Sequence, residues 1–131
     1  MSGVSFPDMV DAIPQIREAL TNLDTSTPYT VTEQWPRKTI TGNLITVTEI
    51  TNAGTDIDCV DRVTYQIDVW SPYADPVREL VRLVNAAMLG IGFRRQAAEQ
   101  LNYLTAKGGY YRKALRYGRK VDKRTMRLID N

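Results

Sequence analysis

Carboxylates are the first residues in this chain with chemistry to offer. Asp56-Ile-Asp58-Cys-Val-Asp61 crowds three of them into one short stretch, and a hard cation such as calcium needs several oxygen ligands. The stretch lacks the glycine at position six and the distal glutamate of an EF-hand loop, so its plainer reading is an acidic turn in water. An enzyme reading would use carboxylates such as these and Asp68, and no pocket signature accompanies them. The chain contains no histidine. That removes the commonest general base, the Ser-His and Cys-His nucleophile arrangements and the commonest metal ligand. The single cysteine, Cys59, excludes an internal disulfide and reads as a buried, inert thiol at the start of a strand. Lys107-Gly108-Gly109 is too short for a phosphate loop, and neither G-x-x-x-x-G-K-[ST] nor G-x-G-x-x-G occurs. The expectation is a protein without catalytic residues, metal or cofactor.

Cations are the second set. Tyr110-Tyr-Arg-Lys-Ala-Leu-Arg-Tyr-Gly-Arg-Lys120 interleaves rings with positive charge. Rings can stack on bases while cations meet phosphates; equally, tyrosines at a core edge beside solvated cations give the same pattern. No RNA-recognition signature accompanies it. The net charge of +2 conceals a division. Residues 1–91 carry six Lys/Arg against twelve Asp/Glu, a balance of −6, and residues 92–131 carry eleven against three, a balance of +8. An acidic region and a basic region on one small body suit head-to-tail packing of identical subunits, or a polyanion at the basic end; the alternative is two solvated surfaces. Trp35 and Trp70 each stand at a strand end, at or near a proline, as packing residues or as interface anchors.

The elements that must position these groups centre on residues 60–71. Val63, Tyr65, Ile67 and Val69 alternate with Arg62, Thr64, Gln66 and Asp68, the period of a half-buried strand. Pro72 ends it. Asp75 offers a cap and Pro76 a first helical residue. Val77, Leu80, Val81, Val84, Ala87 and Met88 then keep helical spacing over 75–90, with Gly90 as the left-handed residue after it. Upstream, Ser5-Phe6-Pro7-Asp8 resembles a capping box. It opens a helix over 6–23 in which Met9, Ile13, Ile16, Leu20 and Leu23 share a face and Pro14 predicts a kink or two short pieces. Residues 29–35 and 43–51 read as strands, giving an antiparallel meander with 60–71. In the second of these, Leu44, Ile45, Val47 and Ile50 do not choose one face. Residues 91–95 start a further strand, 97–104 fit helix or strand, 107–109 form a turn, a strand follows from Tyr110, and 125–129 add a short last one. At 131 residues, 43% apolar and 24% charged, the chain reads as one α+β domain. An antiparallel sheet of four or five strands carries both helices on one face. No run of about 18 apolar residues occurs, and no signal-peptide layout opens the chain, so the expectation is a protein made and kept in the cytosol.

Three stretches carry a resemblance. Val-Thr-Tyr-Gln-Ile-Asp-Val-Trp-Ser (63–71), a Pro-started helix ending Leu-Gly-Ile-Gly-Phe-Arg-Arg (89–95), and Tyr-Tyr-Arg-Lys-Ala-Leu-Arg-Tyr (110–117) resemble the tail-completion family of long-tailed bacteriophages, the tail-terminator or tail-to-head joining proteins. The resemblance covers about residues 60–117, and its motifs are structural. Residues 96–106 are less acidic than the family pattern. The resemblance implies a ring, often hexameric, on the last ring of tail-tube protein. The ring would stop tube growth, dock the head-connector protein and leave a lumen through which DNA passes without sequence recognition. The location implied is the neck of the virion, and the host cytoplasm during assembly. On that reading Arg94, Arg95, Arg112, Lys113, Arg116, Arg119 and Lys120 are candidates for subunit or DNA-lumen contact. Trp35, Arg37 and Lys38, with the 36–42 and 52–58 loops, are candidates for docking to neighbours. The competing expectation is a small basic nucleic-acid-binding domain.

Overall fold

The computed structural model describes residues 11–57, 59–124 and 127–129. Its elements run α1 (Ile13–Thr21), β1 (Thr30–Thr32), β2 (Leu44–Gly54), β3 (Val60–Ser71), α2 (Ala74–Gly90), β4 (Arg94–Gln100), β5 (Tyr103–Thr105), β6 (Gly108–Asp122) and β7 (Arg127–Ile129). The strand order is β1-β2-β3-β6-β4, with β5 and β7 also on β6. β3-α2-β4 is therefore a β-α-β unit split by β6, which lies antiparallel between its two strands. Both helices pack on one face, where Ile16 and Leu20 of α1 and Val77, Leu80, Val84 and Met88 of α2 join Val63, Tyr65, Ile67, Val69, Leu115 and Tyr117 in the core. Burial of side chains of this size stabilises by roughly 1.5–3 kcal/mol each.

The fold is α+β as expected, with more strands than four or five. The surplus comes from the stretch that fitted helix or strand. Residues 94–105 are strand throughout except at 101–102, and lie along the outer edge of β6. At that interruption Leu101 N–H donates to the Arg112 carbonyl at 2.8 Å, and Asn102 Oδ1 accepts from Arg112 N–H at 3.1 Å. The meander is corrected at its first step. β1 pairs parallel with β2, because the connection over residues 33–43 is long enough to return the chain to the same end of the sheet. The facial ambiguity of β2 is a bulge: the register against β3 slips between Glu49 and Thr51, so Ile45 and Val47 enter the core while Ile50 is 43% exposed.

Helix ends differ from expectation in informative ways. The N-cap of α2 is Tyr73, not Asp75. The Ser71 hydroxyl accepts the Tyr73 N–H at 3.0 Å and turns the chain two residues sooner, leaving Asp75 in the first turn to complement the dipole. The left-handed residue after the helix is Gly92 (φ 95°), not Gly90. Phe93 N–H donates to the Met88 carbonyl and Gly92 N–H to that of Leu89, both at 3.0 Å, a Schellman ending in which Phe93 and Met88 are both buried. Pro14 falls in the first turn of α1, where no N–H is needed, so the expected kink is not found there. Met9 and the capping box at 5–8 lie outside the described residues. The loop before β1 is tied to α2 by Thr25 and Thr27, whose hydroxyls donate to the two Glu79 oxygens at 2.6 Å each. These bonds hold the Glu79 carboxyl below its usual range. Among the described residues no helix is long and apolar enough to cross a membrane.

Candidate functional site

The face of the sheet away from the helices is polar, and it is not simply solvated. Asp68 on β3 is fully buried. Its Oδ2 accepts Arg112 Nε at 2.6 Å and ion-pairs with Arg112 Nη2 at 2.5 Å, while its Oδ1 accepts Gln66 Nε2 at 2.9 Å. Gln66 Oε1 in turn accepts Arg116 Nη2 at 3.0 Å. The Arg112 guanidinium lies 4.5 Å from the Trp35 ring centre and 4.4 Å from that of Trp70, in the angle made by the two indoles, which meet edge-on with centres 5.7 Å apart and whose N–H groups donate to Thr48 and Thr46. Tyr110 meets Trp70 edge-on, and Tyr103 meets Tyr110. Strand register explains the assembly: Trp70 stands opposite Arg112, Asp68 opposite Ala114 and Gln66 opposite Arg116, so the small alanine leaves Arg112 room to reach Asp68. The half-buried β3 of the sequence reading is thus buried on both faces apart from Arg62.

β6 divides the basic row by strand alternation. Arg112, Arg116 and Lys120 share the polar face, with Arg112 and Arg116 held as above. Lys113 points to the helix side, where it borders a groove of about 740 Å³ with Val81 and Tyr111. Arg119 is buried. Burial pushes the Tyr117 hydroxyl up to about 12, with the charge of Arg95 opposing, which places Arg95 near the helix-side ring.

At the β4 end a cleft of about 410 Å³ is lined by Arg62, Arg94, Arg95, Gln96, Gly118, Arg119 and Lys120. Arg62 stands directly opposite Lys120, and Arg94 opposite Gly118. The register of β4 slips between Arg95 and Ala97, and the extra residue, Gln96, lies over Gly118. A Cβ added to that glycine would stand 2.9 Å from Gln96 Cδ. Arg62 was outside the sequence candidates; the available signal was its cross-strand position against the basic row, which needs the register.

At the opposite edge of the sheet the exposed stretch of β2 carries carboxylates, with the cations Arg37 and Lys38 beside it on the 33–43 segment. β1 covers only Leu44–Thr46 of β2, and past it Ile50 (43%), Asp56 and Ile57 (59%) are exposed, as is Glu49, whose Oε2 accepts from the Tyr65 hydroxyl and from Asn52 Nδ2 at 3.3 Å each. Trp35 is 46% exposed, and with Arg37 and Lys38 it lines a shallow groove of about 540 Å³ along the 33–43 segment; Trp70 is a packing residue.

The carboxylate cluster disperses. Asp56 is exposed, Asp61 is buried 3.5 Å from Lys123 Nζ, and Asp58 lies outside the described residues. Among the described residues no three His, Cys, Asp or Glu side chains come together to hold a metal. Cys59 is partly exposed rather than buried. No protein-family model matches the chain, and no curated protein matches it either.

Proposed function

We propose that this protein is a structural component of a phage tail, a tail-completion protein that assembles as a ring at the head-proximal end of the tube. There it ends tube growth and joins the tail to the head connector, with DNA passing through the lumen and no catalysis involved. The observation that carries the reading, beside the resemblance of residues 60–117, is the opposition of the two sheet ends. Glu49 and Asp56 with Ile50 and Ile57 mark one end, and Arg94 and Arg95 mark the other. Unlike patches at opposite ends of a subunit make heterologous contacts, and such contacts close into rings when the rotation per subunit permits. Complementary charge sets register and speeds encounter.

Mass in solution by light scattering, with negative-stain imaging, is the test, followed by addition of purified tail tubes. Rings with a central hole, or capped tubes, support the reading. A monomer that fails to cap tubes overturns it. The second reading, a small nucleic-acid-binding domain in its own right, is favoured by the cationic cleft. It requires tight binding to DNA at physiological salt by the isolated monomer.

A further inference from the structure

The cleft between β3, β4 and β6 gathers positive charge. Arg62, Arg94, Arg95, Arg119 and Lys120 line it, and among the described residues no carboxylate does. Among the described residues Arg62, Arg94, Arg95 and Lys120 have no carboxylate within ion-pair distance. Arg112 and Arg124, by contrast, each have an aspartate. Like charges directly opposite across a strand pair destabilise it, and Arg62 and Lys120 are such a pair. The local backbone shapes the cleft: the bulge at Gln96 gives β4 one residue more than β6 opposite it, and the Gln96 side chain lies over Gly118 and lines the cleft with its amide. Guanidinium groups match phosphate oxygens in pairs, and a lysine adds a point charge.

We propose that this cleft is a phosphate-binding site, of a size for one sugar-phosphate of a nucleic-acid backbone. Arg62 and Lys120 are its inner pair, and Arg94 and Arg95 lie at its rim on the edge strand. The proposal deepens the ring reading, in which these cations face a DNA path, but it is measured on the protein in solution without rings. The acidic edge plays no part in it, so absence of rings leaves it standing and absence of phosphate binding leaves the ring reading standing.

The test compares the full chain with the double variant Arg62→Gln/Lys120→Gln and a control, Arg78→Gln/Arg82→Gln, on helix α2. The probes are inorganic phosphate against chloride at matched ionic strength, read as the shift in Tm, and a labelled duplex of about 20 base pairs titrated at several salt concentrations. Phosphate is expected to raise the Tm of the native chain and of the control but not of the cleft variant. The cleft variant is expected to bind duplex at least about tenfold more weakly, with the log–log salt slope shallower by about 0.9 for each phosphate contact removed. Its Tm in phosphate-free, low-salt buffer equals or exceeds that of the native chain, which shows that it folds. A response to inorganic phosphate without one to duplex supports the site and assigns it to free phosphate. No response to either probe, or an equal loss in the control, overturns the proposal.

Discussion

Removing either partner of the Arg112–Asp68 pair tests the account of the polar face most directly. Asp68 is fully buried and the Arg112 side chain is 13% exposed, so water cannot replace the missing partner. Breaking a buried pair from one side costs about 3–5 kcal/mol. For Arg112→Met the loss of contact with two indole faces adds to that, at ~0.5–2 kcal/mol per face. In a chain of this length such a change lowers Tm by roughly 15–30 °C. Asp68→Leu is expected to cost a similar amount, because it leaves the guanidinium held against two rings with no counter-charge. The double variant Arg112→Met/Asp68→Leu removes both charges and substitutes apolar groups of similar volume, a change that is often nearly neutral. The unsatisfied Gln66 amide leaves a residual cost of about 1–3 kcal/mol. The coupling energy is therefore expected to reach at least ~3 kcal/mol, from urea titrations followed by fluorescence of Trp35 and Trp70, the two rings that flank the group being changed. Arg112→Lys is expected to fall between native and Met, since a lysine keeps the charge but loses the planar stack. Single variants costing less than about 1 kcal/mol, with an additive double, would refute the reasoning and make the pair no more than a surface ion pair.

Three further outcomes are expected. Gly109→Ala should cost about 2–3 kcal/mol in chemical denaturation. Its φ is +125° and its Cβ would stand 2.9 Å from the Leu104 Cα across the β5–β6 hairpin, whereas Gly118→Ala, which displaces only the Gln96 side chain, should cost less than about 1 kcal/mol. Burial pushes the hydroxyls of Tyr65 and Tyr117 up to about 12 from 10.0. Both therefore contribute stability that is complete below pH 10 and lost as pH rises from about 10 to 12, at up to about 1.4 kcal/mol per pH unit for each tyrosine; urea titrations at pH 9 and 11 should show the fall, and Tyr117→Phe should make it shallower. Reversing the acidic edge with Glu49→Lys/Asp56→Lys should abolish ring formation by light scattering and imaging while leaving the phosphate response of the cleft intact. Rings that persist in that variant would remove the edge from the interface.

How far the sequence carried depends on the range of the interactions involved. β3 and most of α2 were legible because their signals are local: an alternation of apolar and polar residues, then a helical repeat bounded by Pro72 and a glycine. Their caps were not, because Ser71 and Gly92 rather than Asp75 and Gly90 settle the turn geometry, and propensity does not separate candidates one or two residues apart. Residues 97–104 were open because Gln-Ala-Ala-Glu-Gln favours helix in isolation, and pairing to β6 overrides it. Pairing register was the largest blind spot. It decides that Arg112 meets Asp68, that Arg62 meets Lys120, and that Ile50 sits at a bulge, and each joins residues far apart in the chain.

The basic row changes meaning once that register is known. Counted along the chain, residues 92–131 hold an excess of eight positive charges, and a reading from composition treats all of them as available to a partner. Folding sorts them by strand alternation. Arg112 neutralises a buried aspartate, Arg116 is hydrogen-bonded to a glutamine, and Lys123 lies beside Asp61. Arg94, Arg95 and Lys120, joined by Arg62 from the acidic part of the chain, have no carboxylate partner among the described residues, and all four stand at one end of the sheet. Fewer free cations in one place favour a few phosphate contacts over a continuous binding surface. Because each contact deepens the salt dependence of binding, a small number holds DNA weakly enough to let it move. That is the balance required of a passage rather than of a binding domain, and it is the physical reason to rank the ring reading above its competitor.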